Sequence, residues 1–238
     1  MDKKIVIKKM GFTCQDGFLM PALYVCPSTQ EKLPAILFIY EAFGMNKEME
    51  RLACEFAKEG FAVLMPDLFQ RGSWFQCLRQ MMRDLKNENG RTVEDLLSAR
   101  QILCLQPEVI PDQVSVVGLC MGGGFALVLS KTKLFQVAAP FYGQVPLSLK
   151  GACPIVGSYG ERDEITRKDR HRLIEQVNEH QIKADIKVYP GAGHSFMNEA
   201  PNLVLGMLTR VLPAHAAHDR IAEDDARKRV TEFIKSNL

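Results

Sequence analysis

Short unbroken apolar runs alternate along this chain with longer segments whose apolar residues recur every three or four positions. Lys3–Phe12 and Phe18–Val25 flank Gln15-Asp16-Gly17, and an Asp-Gly turn between two such runs predicts an antiparallel pair. Pro34–Tyr40 and Phe61–Asp67 are nearly continuous apolar stretches, the pattern of strands buried on both faces of a parallel sheet. Between them, Met45–Glu59 places Met49, Leu52, Ala53 and Phe56 on one helical face and stops at Gly60. Val114–Val117 predicts a further buried strand and Phe125–Leu129 a helix. Phe135–Phe141, Ala152–Gly157 and Ala184–Tyr189 predict three more strands, and Thr166–His180 and Ala217–Ser236 two more helices. Thr92 is placed to N-cap a helix running to Gln106, with Asp95 in its first turn. Strand and helix alternate over the whole length. The expectation is a single α/β domain over residues 1–238, with a mostly parallel central sheet flanked by helices on both faces. Leu68–Gly90 is less regular. It carries Trp74, Phe75, Met81, Met82, Arg71, Arg79 and Arg83, and reads as a short cap-like insertion over a site at the strand ends.

Composition narrows the function classes. A hydrophobic fraction of 47% supports a large core, and 30 basic against 28 acidic side chains leave a net charge of only +2. That balance gives no reason to expect nucleic acid or an anionic membrane as partner. No apolar run approaches the roughly 18 residues of a membrane span. The N-terminus enters an alternating stretch, so no signal peptide is expected. The seven Cys are scattered without a C-x-x-C pair, which predicts neither a metal site nor a disulfide frame. A reducing cytoplasm and a monomer or small homo-oligomer fit that usage.

The chemistry concentrates at Gly118-x-Cys120-x-Gly122, between the strand and the helix. This is the nucleophile-elbow pattern with Cys in place of Ser. Glycines two residues either side let so sharp a turn form, and the helix starting at Met121 points its amides at the sulfur, a field that favours an anion. A dinucleotide-binding turn shares the layout, but this pattern lacks the second Gly that admits a pyrophosphate. Asp163 follows the next-to-last predicted strand, and His194 follows the last, in Gly191-Ala192-Gly193-His194. Nucleophile, acid, His is the chain order of the α/β-hydrolase fold. Cys120 would attack a carbonyl, His194 would move the proton, and Asp163 would hold its other ring nitrogen. The amides of Met121 and Ala42 would form the oxyanion hole.

Glu41-x-Phe43-Gly44, Pro66-Asp67-Leu68, Gly118-Leu119-Cys120-Met121-Gly122-Gly123, Gly160-x-x-Asp163 and Ala192-Gly193-His194-Ser195-Phe196 together resemble the dienelactone hydrolase (carboxymethylenebutenolidase) family over about residues 17–194. The resemblance implies an α/β-hydrolase fold, no cofactor or metal, and a Cys-Asp-His triad that opens a small ester or lactone through an acyl-enzyme. It implies a role for Glu41: contact with the resting Cys120, displacement by substrate, and acceptance of the thiol proton. The family binds a substrate carboxylate with an Arg four residues after the catalytic His and another in the cap. Here the first position is Asn198, so Arg71, Arg79, Arg83 and Arg162 are the candidates for that charge. Phe43, Arg71, Arg162, Ser195 and Phe196 are the expected substrate contacts. The alternative is a catalytically silent binding or thiol redox-sensing protein on the same fold.

Overall fold

The computed structural model describes residues 4–199, 214–215 and 217–238. Eight strands form one sheet in the order β1-β2-β4-β3-β5-β6-β7-β8. β1 (Ile5–Thr13) and β2 (Leu19–Pro27) pair antiparallel, Phe12 opposite Met20, around the expected Asp-Gly turn. The expected start of β1 at Lys3 lies outside the described residues. β2 joins β4 (Ala62–Pro66) antiparallel, and every pairing from there on is parallel. β3 (Leu33–Ile39) and β4 are almost wholly buried, as their unbroken apolar runs require.

Helices cover both faces. Chain direction reverses at β3: α1 (Lys47–Lys58) carries it outward to β4, whereas α2 (Trp74–Asn87) and α3 (Arg91–Cys104) return it past β3 to β5 (Val109–Leu119). With right-handed crossovers, α1 and α3 therefore lie on opposite faces. α4 (Met121–Ser130) leads from β5 to β6 (Ala138–Phe141), and α5 (Arg167–Glu179) from β7 (Ile155–Gly160) to β8 (Ala184–Tyr189). α6 (Arg220–Lys235) returns to the α1 face, where Arg51 meets Glu223 at 2.7 Å and Arg227 meets Glu59 at 3.1 Å. No helix among the described residues is long and apolar enough to cross a membrane.

Several local expectations change: β5 runs over Val109–Leu119 where Val114–Val117 was expected, and β6 starts at Ala138 rather than Phe135. The N-cap of α3 is Gly90, ahead of the expected Thr92. Thr92 lies within the first turn, and its amide and hydroxyl both donate to Asp84 of α2, at 3.0 and 2.8 Å. A side-chain acceptor from the neighbouring helix thus replaces the cap that Thr92 would have supplied. β7 also runs further than expected, through Ser158-Tyr159-Gly160, so the loop holding Asp163 starts at the very end of the sheet. Residues 68–90 fold as a 3₁₀ turn (Leu68–Arg71) and α2, whose Cys77, Met81 and Leu85 pack inward.

Candidate active site

The site lies at the carboxyl ends of β3, β5, β7 and β8, beside the reversal of strand order where open α/β sheets bind ligands. Cys120 stands between β5 and α4 with φ 54° and ψ −115°, a conformation that a side chain adopts only where its surroundings impose it. The Cys120 amide donates to the Phe141 carbonyl of β6 at 3.0 Å. On the other side, the first turn of α4 presses against the end of β3. A Cβ on Gly122 would lie 2.1 Å from the Ile39 carbonyl oxygen, so only glycine permits that approach. The elbow is therefore locked from both neighbouring strands, and Tyr40-Glu41-Ala42 is held beside it.

His194 is buried in the loop after β8. Its Nε2 lies 3.1 Å from Cys120 Sγ and its Nδ1 2.7 Å from Asp163 Oδ2. Asp163 is wholly buried and its second oxygen accepts from the amides of Ile165 and Thr166 at 3.0 and 3.2 Å. The Thr166 hydroxyl adds a bond of 2.5 Å to Oδ2. The loops of Asp163 and His194 come this close because Gly160 has no side chain: a Cβ there would sit 2.5 Å from the carbonyl oxygens of both Ala192 and Gly193. Burial opposes charge on both partners, but their mutual bond outweighs it. Asp163 is held below its ordinary value, and His194 is carried up to about 10 by Asp163 and Cys120. So placed, His194 can receive the thiol proton on Nε2 while Nδ1 stays fixed.

Glu41 is 3% exposed and forms the neighbouring wall. One oxygen accepts from Ser195 Oγ at 3.0 Å and the other from Asn198 Nδ2 at 2.9 Å. Tyr142 OH donates to Asn198 Oδ1 at 3.2 Å, and the Tyr142 ring centroid lies 4.8 Å from that of His194. Burial raises the Glu41 carboxyl above its ordinary value despite these bonds. The side chain is thus beside the triad but bonded away from the sulfur, whose partner is His194. Asn198 and Tyr142 had no signal of their own in the sequence. Asn198 stood out only as a missing arginine, and Tyr142, with φ 40°, lies one residue past the expected strand Phe135–Phe141.

The remaining expected site residues divide. Met121 opens α4, where an amide has no intrahelical acceptor. The Ala42 carbonyl accepts from Trp74 Nε1 at 3.0 Å, which fixes the peptide following Ala42. Phe43 is half exposed beside it. The other four, expected as substrate contacts, are engaged elsewhere. Arg71 is committed to Asp16 and Asp95, each through two hydrogen bonds, with its guanidinium 4.3 Å from the Phe18 ring centroid. Those carboxylates, with Cys14, form the one cluster of possible metal donors among the described residues, and Arg71 supplies its cation. Arg162 faces His215 at 3.4 Å across a cleft of about 560 Å³ that borders the start of α6. Ser195 spends its hydroxyl on Glu41. Phe196 is completely buried against Tyr142 and Tyr189, with ring centroids 5.4 and 5.1 Å away.

None of the seven Cys forms a disulfide. Burial lifts Cys14 and Cys153 to about 12, the behaviour of packed thiols, while Cys120 alone has a histidine at hydrogen-bond distance among the described residues.

Known proteins match this arrangement along nearly its full length. The sequence profile of the dienelactone hydrolase family matches residues 20–238. A carboxymethylenebutenolidase of Rhodococcus opacus is 26% identical over 219 residues, covering 85% of this chain and 81% of the relative. Among solved structures, the dienelactone hydrolase-like promiscuous phosphotriesterase P91 from metagenomic libraries superposes with a TM-score of 0.80 at 18% identity, over 98% of each chain. The esterase Est22 superposes with a TM-score of 0.69 at 13% identity, over 97% of this chain and 80% of its own. At those identities the two structures bear on the fold alone.

Proposed function

This chain belongs to the dienelactone hydrolase family, and from that premise we propose that it is a hydrolase of small esters or lactones that works through a thioester on Cys120. The observation that carries the reading is the hydrogen-bonded line from Cys120 Sγ through His194 to Asp163, at 3.1 and 2.7 Å. With its proton on His194 Nε2, the Cys120 thiolate adds to the substrate carbonyl carbon. The carbonyl π pair moves to oxygen, where the amides of Ala42 and Met121 stabilise it. The pair returns, the carbon–oxygen bond to the leaving group breaks, and His194 gives its proton to the departing alkoxide. In a lactone the new hydroxyl stays tethered to the acyl group. Water then adds to the thioester, losing its proton to His194. The carbon–sulfur bond breaks, and the carboxylic acid departs. Asp163 keeps Nδ1 bonded throughout, so that Nε2 always faces the sulfur.

Glu41 supports this cycle in a second way. Its two bonds to Ser195 and Asn198 hold the carboxylate near His194 but off the sulfur, which leaves the thiol free to pass its proton to His194. The test is a pre-steady-state assay with an aryl ester. The expected result is a burst of phenol stoichiometric with protein, an acyl adduct on Cys120 seen by intact-mass analysis, and loss of both in Cys120→Ala. A protein that binds the ester without any burst, or that releases phenol equally well as Cys120→Ala, would refute the proposal.

A further inference from the structure

A wall beside the site is built from three aromatic rings, of which the innermost, Tyr40, is buried and the outermost, Trp74, is half open. Tyr40, Phe69 and Trp74 stack in series, with centroids 6.0 and 6.1 Å apart and interplanar angles of 17° and 7°. Trp74 ends the series. It shares the inward stripe of α2 with Cys77, Met81 and Leu85, since 74, 77, 81 and 85 recur at helical spacing. Those three are buried, yet Trp74 is 49% exposed. A ring on the inward stripe that stays half open keeps an apolar face that a ligand can cover. Phe43, 54% exposed, lies one residue beyond Ala42, and Trp74 Nε1 is bonded to the carbonyl of that same Ala42. The two rings therefore flank the Ala42–Phe43 peptide, the one next to the Ala42 amide proposed for the oxyanion hole.

The charges around this wall are equally specific. Glu41, two residues before Phe43, has only neutral hydrogen-bond partners among the described residues, Ser195 and Asn198. The arginines that the sequence offered for a substrate carboxylate are engaged elsewhere: Arg71 by two aspartates, Arg162 at the α6 cleft, and Arg83 by Gln80. Arg79 stands on the side of α2 opposite its buried stripe. A substrate carboxylate in this pocket would meet Glu41 across a surface made of rings.

Resting on the hydrolase reading above, we infer that the site takes an uncharged ester whose aromatic or alkyl group lies on the Phe43–Trp74 shelf, and that it rejects esters bearing a carboxylate there. Apolar walls with a few fixed polar groups are the usual form of such subsites, and stacking on an aromatic face adds to area burial. The shelf also borders the proposed oxyanion hole, because the indole N–H holds the Ala42 carbonyl, one peptide on from the Ala42 amide.

Trp74 is the only tryptophan of the chain, so occupancy of the shelf can be read directly from its fluorescence. The experiment titrates Cys120→Ala with 4-methylphenyl acetate and with 4-acetoxybenzoate, two aryl acetates that differ by a methyl and a carboxylate. In parallel, the native protein is assayed for turnover of both. Saturable change of Trp74 emission is expected for 4-methylphenyl acetate, with at least about tenfold weaker binding and lower kcat/KM for 4-acetoxybenzoate. Phe43→Ala should raise KM for 4-methylphenyl acetate and narrow that preference. Trp74→Phe, which keeps a ring but loses the N–H, should lower kcat more than it raises KM. Equal or tighter binding of the carboxylate, or no emission change with either ester, would overturn the inference. Turnover with a silent Trp74 would sink the shelf and leave the hydrolase standing. Saturable binding without turnover would do the reverse.

Discussion

Asp95 and Glu41 are buried to the same degree, 3% exposed, and the fold treats them in opposite ways. Asp95 receives a two-pronged guanidinium, Arg71 Nε to Oδ2 at 2.7 Å and Nη2 to Oδ1 at 2.6 Å, and Asp16 shares the same cation. Glu41 receives a hydroxyl and an amide. Both residues follow the rule that a buried polar group must be hydrogen-bonded, but only Asp95 has a cation on its own oxygens, whereas Glu41 feels one only through space, from His194. The difference separates scaffold from site. Where α3 and the β1–β2 turn are pinned to the 3₁₀ turn before α2, a guanidinium sits directly on the buried carboxylate. At the strand ends, a carboxylate, a thiol and an imidazole are left with charges that depend on protonation, and a proton can therefore move among them.

The largest effects should fall cleanly on the two sides of that division. Cys120→Ala is expected to lower ester turnover by about ten-thousand-fold or more, as loss of a triad nucleophile does, with thermal unfolding changed by only a few degrees. Loss of the fold in that variant would mean the elbow is scaffold after all. Arg71→Met should act in reverse. Breaking a buried ion pair leaves Asp95 uncompensated and costs about 3–5 kcal/mol, measured by urea unfolding, with kcat per folded molecule unchanged. Replacing Asp95 as well, as Arg71→Met/Asp95→Leu, should recover much of the loss, because the cost lies in the orphaned charge.

How much of each region the chain disclosed differs for the same reason. The juxtaposition of Cys120, Asp163 and His194, the proposed nucleophile, acid and base, was legible because each sits in a local pattern: Gly118-x-Cys120-x-Gly122 at a strand-to-helix turn, and Asp163 and His194 just beyond strands. The apolar runs of β3 and β4 were legible because burial on both faces leaves no polar positions. Arg71 was misread as a substrate contact because a sequence shows a charge but not its partner. Its partners lie 55 and 24 residues away, and only the sheet and α3 bring them together. Thr92 failed as a cap likewise, because its acceptor belongs to another helix. Phe196 looked like a pocket residue from its motif, yet three-dimensional packing against Tyr142 and Tyr189 buries it. Asn198 and Tyr142, which set the surroundings of Glu41, carry no periodicity or spacing signal at all.

The pH dependence of stability probes the triad side more finely. His194 is carried from 6.5 up to about 10 in the folded chain, so its contribution is full below 6.5 and disappears as pH rises through about 10. Asp163 is held below 3.8, so its contribution is present above that value and lost as pH falls past it. The pair therefore stabilises most between pH 3.8 and 6.5. Asp163→Asn removes both contributions. Its deficit in unfolding free energy, on the order of 2 kcal/mol, should be greatest inside that window and shrink toward pH 10. A deficit that stays constant with pH would show that packing, not the ion pair, is what the substitution removes.

The smallest effect tests the central contrast most directly. Burial raises the Glu41 carboxyl above 4.5, the sign opposite to that of a matched carboxylate. A group with a raised folded value favours the folded chain while protonated and opposes it once ionised. The stabilising contribution of Glu41 is therefore present below pH 4.5 and lost as pH rises above it. Glu41→Gln keeps an acceptor for Asn198 and a donor for Ser195, whose hydroxyl can rotate to accept. It should match the native protein in urea unfolding near pH 4 and exceed it by on the order of 1 kcal/mol at pH 8. Turnover by the same variant should lose its pH dependence in the range where Glu41 titrates. If Glu41→Gln is instead less stable at pH 8 than at pH 4 relative to the native chain, then Glu41 is charge-matched as Asp95 is, and the distinction between scaffold and site fails at the residue where it matters most.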